Sequence, residues 1–245
     1  MIIVLCRNNL ALTQSCIRTL KAQTAQPEIL VINNASTDGT ATWLKSQGGS
    51  LWSLSFREPR SVAQSWNLGL SWVFRFADFV EALVVNNDTE LLPETYQLLR
   101  DRLARGDCGL ATCVSVRDRA QLTLPESPVE SVNPDYSSFM ISREAFKRVP
   151  FDENFAVAFC EDCDHHVRLH RAGIRAVNTG IPFLHHGSMT IKTCPREEAE
   201  RIKRQAEANR EYFYRKWGKR IGTRGYNDLF SEETFGIDQL VAGRG

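Results

Sequence analysis

Three polar residues, Asn86, Asn87 and Asp88, directly follow a short apolar run. The run is typical of the end of a buried parallel strand, and Pro93 soon opens a helical pattern. Ligands of open α/β sheets bind beyond the carboxyl ends of the strands, so the Asp88 carboxylate is a candidate for holding a ligand or a metal ion. The same three residues are also typical of an ordinary turn, because Asn and Asp side chains hydrogen-bond their own backbone.

Three further polar groups lie where predicted strands or helices begin or end. They are the loop 33–38, the acidic residues Glu161, Asp162 and Asp164, and the pair His185 and His186. A divalent cation with phosphate partners needs only one or two protein carboxylates, because phosphate and water oxygens fill the remaining positions. Asp88 with an imidazole from the histidine pair would form such a sparse site.

Strand and helix patterns alternate four times in the first half of the chain, which predicts a parallel sheet with right-handed crossovers. The second half predicts mixed α/β structure. The predicted strands are 1–6, 28–32, 51–56, 79–85, 108–116, 136–141 and 174–178. The predicted helices are 10–23, 36 or 37 to about 47, 61–76, 94–105, 142–149, 159–172 and 195–217, with irregular segments at 117–133 and 182–191.

Composition indicates an ordinary globular protein of 245 residues, 42% hydrophobic and 24% charged, with either one large domain or a domain and an appendage. A formal net charge of +1 gives the whole molecule no broad attraction to polyanions. The segment 192–224 nevertheless holds eleven Lys or Arg residues against five Glu. This basic helix is interpreted as packing on the body of the protein, and contact with anionic lipid or nucleic acid is the alternative.

The sequence predicts a cytoplasmic protein. No stretch approaches the roughly 20 apolar residues of a membrane span, and the apolar run at the N-terminus is too short for a secretory signal. The seven cysteines are odd in number and irregularly spaced, which favours reduced thiols. Cys160, Cys163, His165 and His166 suggest zinc, but a second Cys-x-x-Cys is missing and neighbouring positions on one helix do not converge on a tetrahedral centre.

Seven motifs, in order along the chain, resemble those of family 2 glycosyltransferases with the GT-A fold. They are 30–40 (LVINNASTDGT), Asn67-x-Gly69, 86–89 (NNDT), 151–153 (FDE), 161–168 (EDCDHHVR), 172–173 (AG) and 185–188 (HHGS). The match spans roughly residues 2 to 217. It implies an α/β GT-A fold: a Rossmann-like, mostly parallel sheet in the N-terminal half, mixed α/β structure in the second half and a C-terminal helical extension.

The resemblance also implies a division of the chain and an activity. Residues 1–191 would form the glycosyltransferase domain, with a nucleotide-sugar-binding half (1–107) and an acceptor half (108–191), followed by a basic helical extension (192–245). The implied reaction is metal-dependent, inverting transfer of a sugar from a nucleoside diphosphate sugar to an acceptor hydroxyl. A saccharide or lipid-linked saccharide is the default acceptor, while a protein, a hydroxylated DNA base and peripheral membrane contact stay open.

By the same resemblance, residues 86–88 are this chain's version of the Asp-x-Asp motif. Asp88 would bind Mn²⁺ or Mg²⁺ against the donor diphosphate. Asn86 replaces the usual first Asp, which leaves one fewer negative charge on the metal. His185 fits the metal-binding histidine best because a Gly-Ser pair follows, whereas a slip by one residue would select His186.

The resemblance assigns the base and ribose of the donor to the loop after the second strand. The implied donor-site residues are Asn33, Asn34, Ser36, Asp38, Asn67, Asn86 and Asn87. Asn33 replaces a more usual Asp, and an amide both donates and accepts hydrogen bonds whereas a carboxylate only accepts. The identity of the base therefore stays open.

The implied catalytic base is Asp162, with Glu161 and Asp164 as the next candidates. The base would take the proton from the acceptor hydroxyl as this attacks the anomeric carbon opposite the diphosphate, which gives inversion. Arg168 is expected to fix one of these carboxylates. Taken without the other motifs, Asp162 is better interpreted as a helix cap than as a base.

Two other classes of protein compete with the transferase. A nucleotidyltransferase on a related sheet usually has a glycine-rich, Arg-containing loop after the first strand, and the loop 6–10 has no glycine. A non-catalytic module that binds sugar nucleotides or nucleic acid is the second alternative, and it would use the same fold without the chemistry.

Overall fold

The computed structural model describes residues 1–187 and 189–231, apart from the side chain of Ser50. Within this part of the chain the strands are β1 (Ile2–Cys6), β2 (Ile29–Asn33), β3 (Trp52–Ser55), β4 (Glu81–Asn86), β5 (Thr89–Leu91), β6 (Leu110–Val116), β7 (Ser138–Ser142) and β8 (Ala176–His185). The helices are α1 (Leu10–Lys21), α2 (Thr40–Ser46), α3 (Val62–Phe76), α4 (Thr95–Ala104), α5 (Arg143–Arg148), α6 (Glu161–Arg171), α7 (Met189–Thr193), α8 (Arg196–Trp217) and α9 (Arg224–Asn227).

All eight strands form one sheet in the order β3-β2-β1-β4-β7-β6-β8-β5. The strands β1 to β4 are parallel to one another, as the alternating pattern predicted. The strand β7 runs antiparallel to both β4 and β6, and β5 runs antiparallel to β8, so the mixed second half is also confirmed. The carboxyl ends of β1, β2 and β4 therefore meet at one edge of the sheet.

The sheet is buried on both faces because its central strands are apolar throughout. In β1, Ile3 and Leu5 face a layer that includes α3 and α5, while Ile2 and Val4 face a layer that includes α1, α2 and α4. A third apolar cluster joins α6, α8 and α9, and Phe213 of α8 is fully buried in it. The interpretation of the basic helix as packed on the body is confirmed.

Two predicted elements differ from the structure. The helix α2 begins at Thr40, later than predicted, because the Asp38 carboxylate accepts hydrogen bonds from the Thr40 amide and hydroxyl groups. The segment predicted as irregular at 182–191 instead contains the end of β8 and the helix α7. Pro182 fits within β8 because the pairing with β6 is irregular just before it, and a bulge tolerates a missing N–H.

All seven cysteines lie among the described residues and are free thiols. Burial raises the pKa of Cys6, Cys16 and Cys113 to about 12, so these thiols stay protonated. In residues 1–187 and 189–231, no helix combines the length and the apolar character needed to cross a bilayer.

Gly69 allows α3 to approach the sheet closely, and replacing it should destabilise the fold. A Cβ atom at Gly69 would lie 2.5 Å from Cδ1 of Ile32 and 3.1 Å from Cγ2 of Ile3. We expect Gly69→Ala to lower the free energy of unfolding by about 1–3 kcal/mol through overpacking, although alanine has the better helix propensity. Urea unfolding measures this, with Ser71→Ala on the exposed face of α3 as control. A variant as stable as the wild type would contradict the close approach.

Candidate functional site

A cavity of about 760 Å³ opens at the carboxyl ends of β1, β2 and β4. One wall is the turn after β4, and the start of α6 forms another. A third comes from β6, β8 and the loop between β6 and β7, while α7 and α8 contribute the remaining side. Elements far apart in the sequence therefore enclose one space at the edge of the sheet where the sequence predicted a ligand site.

Asp88 and His185 meet on the wall of this cavity. The strand β5 begins directly after Asp88 and pairs with β8 so that Thr89 lies opposite His185. Nε2 of His185 is 3.4 Å from Oδ1 of Asp88. Burial would raise the pKa of Asp88, but the hydrogen bond and charge of His185, together with the backbone of Met189, lower it below its usual value. Asp88 is therefore a carboxylate at neutral pH.

His186 points to a different partner. Its Nε2 is 3.4 Å from Oε1 of Glu90, and the same carboxylate receives hydrogen bonds from Ser15 and Arg119. Its backbone N–H donates to the Asp88 carbonyl at 3.0 Å. The geometry thus brings His185, rather than His186, to the carboxylate of Asp88.

The other two residues of the turn differ in their surroundings. Asn86 and Asn87 both line the cavity. Nδ2 of Asn87 donates to the Asn8 carbonyl at 3.1 Å and to Oγ1 of Thr13 at 2.9 Å. These bonds fasten the turn to the start of α1, so Asn87 supports the position of its neighbour Asp88.

The loop 33–38 is fastened to the start of α1 by its own side chains. Oδ1 of Asn33 accepts from the Ser36 amide, and Oγ of Ser36 accepts from the Asn8 amide. Oδ2 of Asp38 accepts from the Leu10 amide at 2.9 Å. In the described part of the chain, Asn33, Ser36 and Asp38 lie outside the cavity wall.

Asn34 is the residue of this loop that lines the cavity. Its side chain pairs with the backbone of Arg60, donating to the Arg60 carbonyl at 2.9 Å and accepting from the Arg60 amide at 2.8 Å. Asn67 lies elsewhere, on α3, where it donates to the Phe151 carbonyl and to Glu153 and accepts from the Phe151 amide. The structure therefore separates Asn67 from the cavity and keeps Asn34 in it.

Glu161 and Asp162, the first residues of α6, both line the cavity. Oε2 of Glu161 is buried and has no hydrogen-bond partner among the described residues. Burial and the charge of Asp162 raise the pKa of Glu161 to about 8. Burial also raises the pKa of Asp162, and the charge of Asp135 adds to this effect, although Asp162 accepts a hydrogen bond from the Cys163 amide.

Asp164 has a different environment from the two carboxyl groups that precede it. It is 0% exposed and lies outside the cavity wall formed by the described residues. Arg168 contacts its Oδ2 at 2.7 Å, while Lys216 and Trp217 of α8 contact its Oδ1 at 2.8 and 2.9 Å. The expected pairing of Arg168 with an acidic residue is present, and Asp164 links α6 to α8.

Two arginines that the sequence did not single out also line the cavity. Arg7 follows β1 and forms an ion pair with Glu198 of α8. Arg60 precedes α3 and lies over the ring of Phe56 at 5.0 Å. The available signals were the position of Arg7 directly after β1 and that of Arg60 directly before the cap of α3. Among the described residues of the wall, these two carry the fixed positive charges.

The wall formed by β6, β8 and the loop between β6 and β7 carries hydroxyl and amide groups. It includes Ser115, Ser131, Asn133, Asp135 and Asn178. The loop is held firmly, because Ser131 and Asn178 exchange two backbone hydrogen bonds of 2.9 Å. Nδ2 of Asn178 also donates to the Asn133 carbonyl at 3.1 Å.

The residues that suggested zinc are used in the interior instead. Nδ1 of His165 is 2.9 Å from the Tyr136 hydroxyl, and Nε2 is 2.8 Å from the Val149 carbonyl. Burial lowers the pKa of His165 to about 3, so the ring is neutral. Over residues 1–187 and 189–231, no group of three or more His, Cys, Asp or Glu side chains is arranged to hold a metal ion.

The buried carboxyl group of Glu161 should make folding stability depend on pH. Its pKa is raised from 4.5 to about 8 in the fold, so the wild type should lose stability as pH rises through this window, by up to about 1.4 kcal/mol per pH unit. Glu161→Gln removes this loss. In urea unfolding, we expect the free energy of unfolding of Glu161→Gln, relative to that of the wild type, to increase from pH 5 to pH 9. The control Glu144→Gln, on the exposed side of α5, should show no such trend. A constant difference would contradict the burial argument.

Comparisons with known proteins agree with this architecture. The family model described as Glycosyl transferase family 2 matches residues 1–166. A search of curated protein sequences found no match. Among solved structures, the chain is similar to the mannosyltransferase PcManGT from Pyrobaculum calidifontis in complex with GDP-Man and Mn²⁺. That likeness has a TM-score of 0.58 and 16% identity and covers 98% of this chain and 79% of the other.

Two further structures are similar over about three quarters of the chain. GalNAc-T7 with UDP, GalNAc and Mn²⁺ has a TM-score of 0.62 and 11% identity, covering 75% of this chain and 43% of that protein. TarS from S. aureus has a TM-score of 0.52 and 14% identity, covering 76% and 35%. At these identities the structures indicate the fold, whereas the family model spans more than half of the sequence. The chain therefore belongs to glycosyl transferase family 2 and is a glycosyltransferase with the GT-A fold.

Proposed function

We propose that this glycosyltransferase moves a sugar, with inversion, from a nucleoside diphosphate sugar to a hydroxyl of an uncharged saccharide. Mn²⁺ or Mg²⁺ would be bound by Asp88 and His185. One observation carries the proposal: the Asp88–His185 pair and the acidic residues Glu161 and Asp162 line the same cavity. Metal-binding groups and a general base are thereby available to one bound donor and acceptor.

Asp88 and His185 fit such a metal by their chemistry. A carboxylate oxygen and an imidazole nitrogen 3.4 Å apart suit Mn²⁺, and Mn²⁺ is present in the PcManGT and GalNAc-T7 structures. When bound, the metal would supply a Lewis acid for the charge that develops on the leaving diphosphate. Asp88 and His185 provide two ligands, so oxygens of the diphosphate and of water would complete the coordination.

Arg7 and Arg60 are proposed to contact the diphosphate. Guanidinium groups match phosphate oxygens in a bidentate geometry, and both side chains line the cavity. Asn34 would position Arg60 through its two hydrogen bonds to the Arg60 backbone. The nucleotide end of the site would be shaped by side chains that fix the backbone through hydrogen bonds. These side chains are Asn33, Ser36 and Asp38, together with Asn87 in the turn after β4.

Asp162 is the proposed general base. Asp162 lines the cavity, and its raised pKa makes the carboxylate a stronger base for accepting a proton from a hydroxyl. Glu161 has a pKa of about 8 and is therefore largely protonated at pH 7. A neutral carboxyl group can donate a hydrogen bond to the acceptor, so adjacent acids would take different roles. Asp164, surrounded by Arg168, Lys216 and Trp217, would be structural.

The acceptor is proposed to be an uncharged saccharide because of the wall next to Asp162. Asp135 of this wall lies close enough to Asp162 for its charge to raise the pKa of Asp162. The described residues of this wall offer hydroxyl, amide and carboxylate groups, with no Lys or Arg to meet a phosphate backbone. A polyanionic acceptor such as DNA depends on such cations for its affinity.

A cytoplasmic location is part of the proposal and is supported by the thiols. The seven cysteines are free, and disulfides are uncommon in the reducing cytoplasm. The buried thiols of Cys6, Cys16 and Cys113 would pack as apolar groups there. Oxidation of these sites would require opening of the core.

Replacing Asp162 tests the proposed chemistry. We expect Asp162→Asn to lower the rate of sugar transfer by roughly 10²–10⁴-fold, because the acceptor hydroxyl loses its base. Thermal stabilisation by Mn²⁺ with UDP or GDP should persist, since the nucleotide end is unchanged. NMR of the product made by the wild type should show an anomeric configuration that is inverted relative to the donor sugar.

The control and the acceptor panel make this test specific. Glu126→Gln, in the exposed loop after β6, should retain wild-type transfer. Oligosaccharides should accept sugar from a panel of UDP- and GDP-sugars, whereas duplex DNA should not. Wild-type turnover by Asp162→Asn, or a product with retained configuration, would contradict the assignment of the base. Transfer to DNA in place of saccharides would contradict the proposed acceptor class.

A further inference from the structure

The segment 156–160, which leads into α6, has an unusual backbone. The φ angles of Val157, Phe159 and Cys160 are 61°, 82° and 74°. Residues with a Cβ atom disfavour this left-handed region, and a β-branched residue such as Val157 disfavours it most. Three such residues within four positions keep this conformation only if the surrounding structure holds them there.

Asn209 of α8 contacts this segment through its side chain. Asn209 is 2% exposed, and Nδ2 lies 2.8, 2.9 and 3.0 Å from the carbonyl oxygens of Ala156, Ala158 and Phe159, which share its two N–H groups. Gln205, one turn earlier, donates to Oδ1 of Asn209 at 3.2 Å. Because three carbonyl oxygens face Nδ2 and a donor faces Oδ1, only one orientation of the amide satisfies these contacts.

The segment that Asn209 holds is part of the cavity wall. Val157, Ala158 and Phe159 line the cavity, and the two acidic residues Glu161 and Asp162 follow directly. The segment has a second attachment, because the Val157 carbonyl accepts from the Val62 amide at the start of α3 at 2.8 Å. Between these attachments, the backbone conformation of 156–160 sets where α6 starts and where its first side chains point.

We propose that Asn209 is a positioning residue for sugar transfer: from α8, it fixes the segment 156–160 and so places Glu161 and Asp162 at the reacting hydroxyl. The inference rests on the proposed function, in which Asp162 is the base. It concerns α8, which follows the region matched by the family model. An amide buried in the middle of a helix forms hydrogen bonds that an apolar residue of similar size would not, and both of its N–H groups point to carbonyl oxygens of this segment.

The test compares Asn209→Asp with Phe213→Leu. The first change keeps the size of the side chain but removes both N–H donors and aims acceptors at three carbonyl groups. The second weakens the packing of the same helix, since Phe213 is fully buried in the cluster that also contains Cys160, but it leaves the hydrogen bonds of Asn209 in place. Amide hydrogen exchange of the full-length protein measures the stability of the segment 156–160 directly. Hydrolysis of GDP-mannose and UDP-sugars in the presence of Mn²⁺ measures turnover with water as the acceptor.

We expect faster amide exchange at 156–160 in Asn209→Asp and a roughly ten- to hundredfold lower kcat, because small displacements of a base are costly. The KM for the donor should stay close to that of the wild type. Phe213→Leu should be less stable yet keep the kcat. Unchanged exchange or unchanged kcat in Asn209→Asp, or an equal loss of kcat in Phe213→Leu, would overturn the proposal.

Failure of the proposed function gives a different result from failure of this inference. If Asp162→Asn lowers turnover while Asn209→Asp does not, the inference alone is overturned. If Asp162→Asn turns over donor like the wild type, the base assignment fails and overturns the inference with it. Asn209→Ala adds a check on the donors, since it should resemble Asn209→Asp in exchange and kcat if the lost hydrogen bonds are the cause.

Discussion

The site depends on the antiparallel pairing of the short strand β5 with the end of β8. Thr89 lies opposite His185 in this ladder, and the backbone of His186 donates to the Asp88 carbonyl. The carboxylate after β4 therefore meets an imidazole from the second half of the chain. Side chains alternate between the faces of a strand, so a shift of one residue in this register would present His186 in place of His185. Backbone hydrogen bonds thus set the geometry of the two groups proposed to hold the metal.

The opposite side of the cavity is built on helix packing. The apolar cluster around Phe213 joins α6 to α8, and Asp164 connects the same helices through buried charge contacts. The helix α8 also meets the first loop through the Arg7–Glu198 ion pair. We infer that the basic helix, which the sequence separated from the transferase domain at residue 192, works as part of the site. Its charged side chains lie mainly on the solvated face, while Asn209 on its buried face holds the wall segment that precedes the acidic pair.

Sequence patterns indicated the parallel half of the sheet and the proximity of Asp88 and His185, because apolar runs and family motifs are local signals. They did not indicate β5, which has three residues, or the full length of β8, since both depend on pairing partners distant in the chain. Of the predicted donor residues, Asn33 ends β2 while Ser36 and Asp38 lie on the loop after it. The hydrogen bonds of Ser36 and Asp38 to the start of α1 are tertiary contacts with no sequence periodicity. Arg7, Arg60 and Asn209 escaped notice for the same reason: each is a single polar residue whose importance arises from its neighbours in space.

We propose that one carboxylate and one histidine form an incomplete metal site that the donor diphosphate completes. Calorimetric titration of Mn²⁺ into the protein, with and without UDP or GDP, tests it most directly. Weak binding to the nucleotide-free protein is predicted because Asp88 and His185 supply two ligands. Binding should tighten markedly when the nucleotide is present, and Asp88→Ala should abolish the tightening. Tight Mn²⁺ binding without nucleotide, or binding that Asp88→Ala leaves unchanged, would contradict the account.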